Sequence, residues 1–291
     1  MPLAESAAGT DDLHAPWLLI LAGLCLPFAL VAVWRMARWW FSGRPLPLPI
    51  DGAMPAVRWP SWFGLSLYML MFILLILVTG GYDAAKRNGF LPWEPLDLPA
   101  MFSPGVFLAQ IVPSLVGLAV IRAFGRGTAE TVGIRPYPLK PTLVYGVGTF
   151  LVILPICVVA LWINAVILLL LKMDLQYHPL LVTLGQTPGW WVLPLSLVQA
   201  AVLAPLAEEF IYRGVLLVTL MREIGAAGAM VGSSLVFAIV HLEAEPQAVL
   251  PLFCLGMAMA YTAYRTRSLV APIVTHSLFN AVMVIGAFYG S

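Results

Sequence analysis

The stretch that decides the fold is residues 142–171, which read TLVYGVGTFLVILPICVVALWINAVILLLL. No charged side chain occurs in it. With a rise of 1.5 Å per residue, a helix of this length covers about 45 Å, which exceeds the ~30 Å hydrocarbon layer of a bilayer. The pattern does not alternate between apolar and polar residues, as a transmembrane β-strand would. This run therefore predicts a transmembrane helix.

The whole chain has the same character. Of its 291 residues, 61% are hydrophobic and 10% are charged, with a mean hydropathy of +0.94, whereas about a quarter of the residues are charged in soluble domains. We predict an all-α, polytopic transmembrane helical bundle of about eight spans. The net charge of +1 offers no basic surface for nucleic acid, so a nucleic-acid partner is not expected. The predicted spans are 17–34, 62–81, 101–121, 142–171, 190–221, 225–241, 248–264 and 269–289.

The basic residues predict the orientation of these spans. Lys and Arg concentrate in cytoplasmic loops, and the loops after spans 1, 3, 5 and 7 hold eleven of them against three after spans 2, 4 and 6. Both termini are therefore expected outside the cytoplasm, with residues 1–16 as an extracytoplasmic tail of an integral protein of the cell (plasma) membrane. The eleven are Arg35, Arg38, Arg44, Arg58, Arg122, Arg126, Arg135, Lys140, Arg222, Arg265 and Arg267, and the three are Lys86, Arg87 and Lys172.

Ionisable side chains inside the spans are the informative ones, because each costs at least ~2.5 kcal/mol at a helix centre. The segment APLAEEFIYR, residues 204–213, carries three of them. Glu209 and Arg213 stand at i and i+4 on one helix face, in the favourable order for an ion pair. Glu208 points away from that pair. One carboxylate is thus predicted to be paired and the other to be spare.

The spare carboxylate of Glu208 is a candidate general base. A carboxylate in an apolar setting without a matched cation can accept a proton from water and pass it on. The alternative is that Glu208 belongs to a buried Glu-Glu-Arg network that only ties helices together. The histidines favour the catalytic interpretation.

Two of the four histidines are predicted to lie in or at the end of spans. The short loop from Glu223 to Ala226 predicts a helical hairpin, in which Glu208 and His241 are each fifteen residues from the turn. These two side chains are therefore expected at similar depth, close enough to meet. His276 lies in the last span, whereas His14 and His178 fall in loops.

Each of the two membrane histidines has a companion one helical turn away. Phe237 precedes His241 by four residues, and Asn280 follows His276 by four. Residues at this spacing share one face of a helix. A lone intramembrane histidine is often a packing residue, but this combination indicates a polar site.

The three motifs resemble those of the CAAX-protease and bacteriocin-processing family of intramembrane endopeptidases, which includes the Ras-converting type of prenyl protease. The family pattern is Glu-Glu-x-x-x-Arg, then Phe-x-x-x-His, then His-x-x-x-Asn. Here the motifs are Glu208 to Arg213, Phe237 to His241 and His276 to Asn280, in that order. The resemblance covers residues 190–289, predicted as a catalytic core of four spans. Residues 17–189, predicted as four further spans, resemble no family.

The resemblance implies glutamate-dependent hydrolysis of a peptide bond inside the membrane. By this similarity, Glu208 with His241 would activate a water, and His276 with Asn280 would hydrogen-bond the oxyanion. Glu209 and Arg213 would be a supporting pair, and Phe237 would support His241. Oxyanion donors of this kind lower acyl-transfer barriers by about 3 kcal/mol each.

The predicted depths of the site residues do not agree with each other. His276 is expected ~10 Å from the loop at residues 267–269, whereas the hairpin puts Glu208 ~22 Å from a loop on the same side. A tilted helix, a break near Gly214, or a fifth helix that projects beyond the membrane would each reconcile them.

The sequence is compatible with three further functions. Glu208, His241 and His276 could instead hold a catalytic zinc, although no His-Glu-x-x-His motif is present and Asn280 would then have no clear role. We expect no metal or other cofactor. The chain could also be a non-catalytic scaffold or immunity protein, or a proton-coupled transporter. For a peptidase, the expected partners are the lipid bilayer and a peptide or membrane-protein substrate: a prenylated C-terminal tail, a bacteriocin leader or signalling peptide, or another membrane protein.

Overall fold

The computed structural model describes residues 16–42, 59–91, 102–124, 130–134, 138–173, 189–242 and 245–290, and these parts of the chain contain helices and turns without strands. Six helices, α2 to α7, are long and apolar enough to cross a membrane, and α1 contains a shorter apolar stretch, Leu19–Arg35. The prediction of an all-α polytopic bundle is confirmed, and the chain is an integral membrane protein. The helices are α1 Pro16–Phe41, α2 Ser61–Arg87, α3 Pro104–Ala123, α4 Leu139–Leu170, α5 Val192–Ile239, α6 Val249–Thr266 and α7 Val270–Gly290.

Helix α5 is folded back on itself at Gly225, where φ is 70° and ψ is 172°. The rings of Tyr212 and Phe237 lie 5.2 Å apart, although a continuous helix would separate residues 25 positions apart by about 37 Å. The segment is therefore a hairpin with an N-terminal arm, 192–224, and a C-terminal arm, 226–239. This is the hairpin predicted between spans 5 and 6, and its two arms with the other six helices give eight helical segments in the described chain.

The turn of this hairpin depends on glycine. Its φ and ψ fall in a region that side chains rarely adopt, and a Cβ atom at Gly225 would have nothing within 4 Å. We therefore expect Gly225→Ala to lower the free energy of unfolding by about 1–3 kcal/mol through backbone strain alone, measured by thermal unfolding in detergent. The control is Gly148→Ala in α4, which is also in open space; there helix propensity predicts a gain of about 0.5–1 kcal/mol. A Gly225→Ala variant as stable as the wild type would contradict this interpretation.

The helices form two groups that lie side by side. Helix α4 contacts α1, α6 and α7, while α2 pairs with α3 and covers the N-terminal arm of α5. The C-terminal arm of α5 packs against α6. The largest apolar cluster joins α2, α4, α5 and α6, and its fully or nearly fully buried members include Met71, Cys157, Phe210, Phe237 and Met259. The middle of α5 thus lies within the bundle.

The relation between α5 and the α6–α7 turn accounts for the disagreement in depth. Leu269 of that turn lies beside Gly214 in the N-terminal arm of α5. From Gly214 the arm continues eleven residues to Gly225, about 16 Å beyond the turn. The fifth helix therefore extends past the α6–α7 turn, which agrees with the projecting fifth helix, one of the three predicted explanations. His276 and Glu208 can therefore lie at the same depth in the bundle, although His276 is closer along the chain to the α6–α7 turn than Glu208 is to the turn at Gly225.

The tip of the hairpin is held by the start of α2. Arg222 Nη1 donates to the carbonyl oxygen of Trp59 at 2.8 Å, and the indole nitrogen of Trp59 donates to Thr219 Oγ1 at 3.2 Å. Ser61 hydrogen-bonds Glu223. These bonds fix the end of the α5 hairpin against an N-terminal helix.

Candidate active site

The two adjacent glutamates lie in a short α-helical part of α5, Ala204–Glu209, between two π-helical segments, Leu197–Leu203 and Phe210–Leu217. π-Helical turns are rare and are frequent at functional sites, because the wider turn redirects side chains and frees carbonyl oxygens. The apolar run of the fifth predicted span, 190–221, predicts one continuous helix here. The π-helical turns are thus a feature that the periodicity did not predict.

Glu209 is the buried centre of the site. Its Oε1 accepts a hydrogen bond from Arg213 Nη1 at 3.0 Å and another from His276 Nδ1 at 2.9 Å. The side chains of Glu209 and Arg213 are wholly buried, and that of His276 is 4% exposed. The predicted i, i+4 ion pair is present, and Glu209 in addition fixes the orientation of the His276 ring.

Glu208 approaches the other nitrogen of the same imidazole. Its Oε2 lies 3.8 Å from His276 Nε2, and its side chain is 26% exposed. This distance is too long for a direct hydrogen bond. The two glutamates therefore approach His276 from opposite edges of its ring, one buried and one accessible.

Phe237 contacts both histidines. Its ring centre is 5.0 Å from that of His241 and 5.8 Å from that of His276, so the two imidazoles are within about 11 Å of each other. The Arg213 guanidinium lies 4.6 Å from the centre of the Phe237 ring. Phe237 is fully buried, and it thereby links the ion pair to both histidines.

His241 is oriented by its own helix. Its Nδ1 lies 2.7 Å from the carbonyl oxygen of Phe237. A carbonyl can only accept, so Nδ1 carries the hydrogen, and in the neutral ring Nε2 is the free acceptor. The described contacts of His241 and Glu208 do not join the two directly. Glu208 thus faces His276, and the direct meeting of Glu208 and His241 that the hairpin predicted is not observed.

Asn280 is oriented by the first π-helical segment. Its Nδ2 donates to the carbonyl oxygen of Ala200 at 2.8 Å. An amide nitrogen has two hydrogens, so a second donor remains on the same atom. Asn280 lies one turn beyond His276 on α7, and both side chains project toward α5.

The site residues do not form a metal-binding group in this arrangement. Among the described residues, no three His, Cys, Asp or Glu side chains are gathered closely enough to hold a metal ion. His276 Nδ1 is also engaged by Glu209. The zinc alternative with Glu208, His241 and His276 as ligands gains no support from this geometry, and the metal-free site stays a prediction.

The contact between Glu209 and His276 was not predicted from the sequence. Neighbouring residues on a helix point about 100° apart, so Glu208 and Glu209 were expected to have different partners. An imidazole has two nitrogens on opposite edges and can contact both carboxylates. The predicted loop histidines His14 and His178 lie outside the described residues.

A helical membrane bundle that brings together two glutamates, two histidines, an arginine and an asparagine, with Glu209, Arg213 and His276 buried, has the polar content of a functional site, because such residues persist in spans only when paired or functional. Residues 189–282 match the family model described as type II CAAX prenyl endopeptidase, Rce1-like. The predicted resemblance to this family is therefore confirmed over the C-terminal third of the chain, which contains all three motifs.

A curated relative supports the same class. The chain is 29% identical over 92 residues to a Bacillus subtilis (strain 168) protein named "Putative membrane peptidase YdiL", a match that covers 32% of this chain and 37% of the relative. The chain thus matches little more than a third of the relative's length. No solved structure matches the chain.

Proposed function

We propose that this protein is an intramembrane endopeptidase of the glutamate type, in which Glu208 activates the attacking water and the neighbouring His276 stabilises the oxyanion. The observation that carries the proposal is the 3.8 Å approach of Glu208 Oε2 to His276 Nε2, with His276 Nδ1 fixed on Glu209. General acid-base catalysis requires a positioned group that accepts a proton, and here the accessible carboxylate of Glu208 lies beside an oriented imidazole.

In the first step, Glu208 takes a proton from the water, and the oxygen of that water attacks the carbonyl carbon of the scissile peptide bond. Glu208 suits this role because it is the accessible carboxylate, whereas Glu209 is buried and bonded to Arg213 and His276. The carbonyl oxygen then carries the negative charge. The nitrogen of the peptide bond remains attached until a proton reaches it.

In the second step, donors stabilise the oxyanion. His276 Nε2 donates when its ring is protonated on both nitrogens, since Nδ1 already donates to Glu209. The second hydrogen of Asn280 Nδ2 is the other donor, because the first is held by Ala200. Preorganised donors of this kind contribute about 3 kcal/mol each to the lowering of the barrier.

In the last step, the carbon–nitrogen bond breaks and the leaving amine takes a proton from Glu208. His241 keeps its Nε2 available as an acceptor and is assigned to orient the attacking water with Glu208. Glu209, Arg213 and Phe237 are positioning residues in this scheme.

The substrate is proposed to be a peptide or a segment of a membrane protein that enters from the bilayer. The family description names a CAAX prenyl endopeptidase, so a prenylated C-terminal peptide is the first candidate. Bacteriocin leaders, signalling peptides and other membrane proteins are the further candidates. We place the protein in the cell membrane with both termini outside the cytoplasm.

The test is cleavage by the purified protein in detergent. The panel contains an S-farnesylated CAAX peptide, its non-prenylated form, a leader peptide and a transmembrane peptide, each with and without a chelator and with zinc added back. We expect cleavage of at least one peptide at a rate that the chelator does not change. Loss of cleavage with chelator and its return with zinc would establish the zinc alternative, and absence of any product would favour a scaffold or a transporter.

A further inference from the structure

One backbone carbonyl group of α6 reaches the ion pair of the proposed site. Arg213 Nη2 donates to the carbonyl oxygen of Gly256 at 3.3 Å, and Arg213 Nη1 donates to Glu209 Oε1 at 3.0 Å. The third nitrogen of the guanidinium, Nε, is buried and has no hydrogen-bond partner among the described residues. Gly256 therefore accepts one of the two hydrogen bonds that hold the guanidinium in the described structure.

The bond to Gly256 fixes the orientation of the guanidinium. A planar group that is held at one nitrogen can turn about that nitrogen, whereas bonds at two nitrogens fix its plane. The guanidinium carbon also lies 4.6 Å from the centre of the Phe237 ring. Glu209 Oε1 accepts from His276 Nδ1 at 2.9 Å as well as from Arg213. A movement of the guanidinium therefore reaches the imidazole of His276 through one shared oxygen atom.

Helix α6, which supplies this carbonyl group, lies very close to the C-terminal arm of α5. A Cβ atom on Gly256 would lie 3.0 Å from Ser234 Cβ, 3.2 Å from Ser234 Cα and 3.3 Å from Ser234 Oγ. Both residues are buried. Carbon atoms in ordinary contact are about 3.5–4.0 Å apart. A side chain at position 256 therefore fits only if α6 and the arm move apart.

The separation that one methyl group requires is enough to break the bond to Arg213. An increase from 3.0 Å to ordinary contact is about 0.5–1 Å. The Nη2–oxygen distance of 3.3 Å is already at the long end for a hydrogen bond of this type. The guanidinium would stay with the hairpin, because it lies against Phe237, three residues after Ser234 on the same arm. The carbonyl group would move away from it.

From these contacts we infer that Gly256 is a positioning residue of the proposed peptidase. The absence of a side chain lets α6 approach Ser234, and the carbonyl oxygen of Gly256 then holds Arg213 against Glu209, which in turn orients His276. The inference rests on the proposed endopeptidase function. It assigns a role in the site to α6, a helix that carries none of the three sequence motifs.

The first measurement is the cleavage rate of Gly256→Ala on the panel peptide that the wild type cleaves fastest. We expect kcat to fall about 10- to 100-fold, because a displacement of about 1 Å at a catalytic group costs about 10²-fold in rate. KM should change little, since the carbonyl group acts on Arg213 and not on the peptide. Gly148→Ala in α4 is the control, because a Cβ atom there has nothing within 4 Å, and it should cleave at the wild-type rate.

A matched pair of second substitutions separates this role from a general loss of packing. Ser234→Gly and Ser234→Ala are each combined with Gly256→Ala. Both remove the Ser234 hydroxyl and its bond to the carbonyl oxygen of Met230 at 2.6 Å, but only glycine removes the Cβ atom, which is the nearest contact. Ser234→Gly should restore kcat at least about fivefold and Ser234→Ala should not. Glycine is the less stable residue within a helix, so a purely structural role predicts the opposite order.

Thermal unfolding in detergent tests the link to Arg213 without any peptide. The midpoint shift that Gly256→Ala causes is measured in the wild type and in Arg213→Met, where the side chain has no donor. If the carbonyl group acts through Arg213, the shift should be smaller in the Arg213→Met background by about 2–4 °C, the size expected for one hydrogen bond.

The outcomes separate the positioning role from the peptidase function. If the wild type cleaves a peptide and Gly256→Ala cleaves it equally fast, the positioning role is wrong and the function stands. The role is also wrong if Ser234→Ala restores the rate as well as Ser234→Gly, or if the two midpoint shifts are equal. If no peptide is cleaved but the midpoint shifts differ as expected, the link between Gly256 and Arg213 stands and the endopeptidase function is wrong.

Discussion

Replacing Glu208 by glutamine is expected to reduce peptide cleavage by about 10²–10⁴-fold, the contribution of a positioned general base. Glutamine keeps the size of the side chain but cannot accept a proton from water. The side chain is about a quarter exposed, and its described polar contact is the 3.8 Å approach to His276. Stability should therefore change little, and kcat on a panel peptide together with the thermal unfolding midpoint will measure both effects.

Two further variants sharpen this prediction. Glu208→Asp keeps the carboxylate but shortens its reach by one methylene, and a displacement of about 1 Å is expected to cost about 10²-fold in rate. Glu223→Gln changes an exposed glutamate of the same helix, at the hairpin tip, and should leave the rate unchanged. Equal activities in Glu208→Gln and Glu223→Gln would remove Glu208 from the chemistry.

The largest effect on stability is expected at Arg213. This residue is fully buried, pairs with Glu209 at 3.0 Å, and also donates from Nη2 to the carbonyl oxygen of Gly256 at 3.3 Å. Arg213→Met would leave the Glu209 carboxylate buried without its cation, and breaking a buried pair in this way costs about 3–5 kcal/mol. Thermal unfolding in detergent measures the loss.

A second pair on the same helix provides the comparison. Arg222 and Glu223 lie 3.9 Å apart with side chains about half exposed, so Arg222→Met should cost about 1 kcal/mol or less. The double variant Glu209→Gln with Arg213→Met removes both buried charges and should be more stable than Arg213→Met alone. If the double variant is instead the less stable of the two, the Glu209 carboxylate does not depend on Arg213 for its neutralisation.

Local sequence rules predicted the parts of the fold that depend on short-range pattern. Uncharged runs gave the membrane helices, and the spacing of Glu209 and Arg213 gave their ion pair. The α5 hairpin was predicted from two apolar arms joined by a short polar turn. The structure shows why the chain turns there, because Gly225 adopts a non-helical backbone conformation. Helix ends were less predictable, since α2 continues from the expected Gly81 to Arg87.

The parts of the site that were not predicted depend on how helices pack. The approach of both glutamates to His276 requires the register of α7 against α5, which no motif within one helix specifies. The π-helical segments that flank Glu208 and Glu209 also produce no recognisable hydrophobic periodicity, because most of the surrounding sequence is apolar. They could not be predicted for that reason. The extension of α5 beyond the α6–α7 turn depends on how the helices pack in the assembled bundle. The sequence therefore showed that the predicted depths of His276 and Glu208 disagree, but it could not give the reason.

The most direct test of the proposed centre is a double-mutant cycle on kcat/KM with Glu208→Gln, His276→Ala and the combination of the two. Residues that act as a unit in one catalytic centre show strongly non-additive losses. The expected result is that the double variant is no slower than the slower single variant. If the two losses multiply in the double variant, Glu208 and His276 act independently, and the proposed common catalytic centre is wrong.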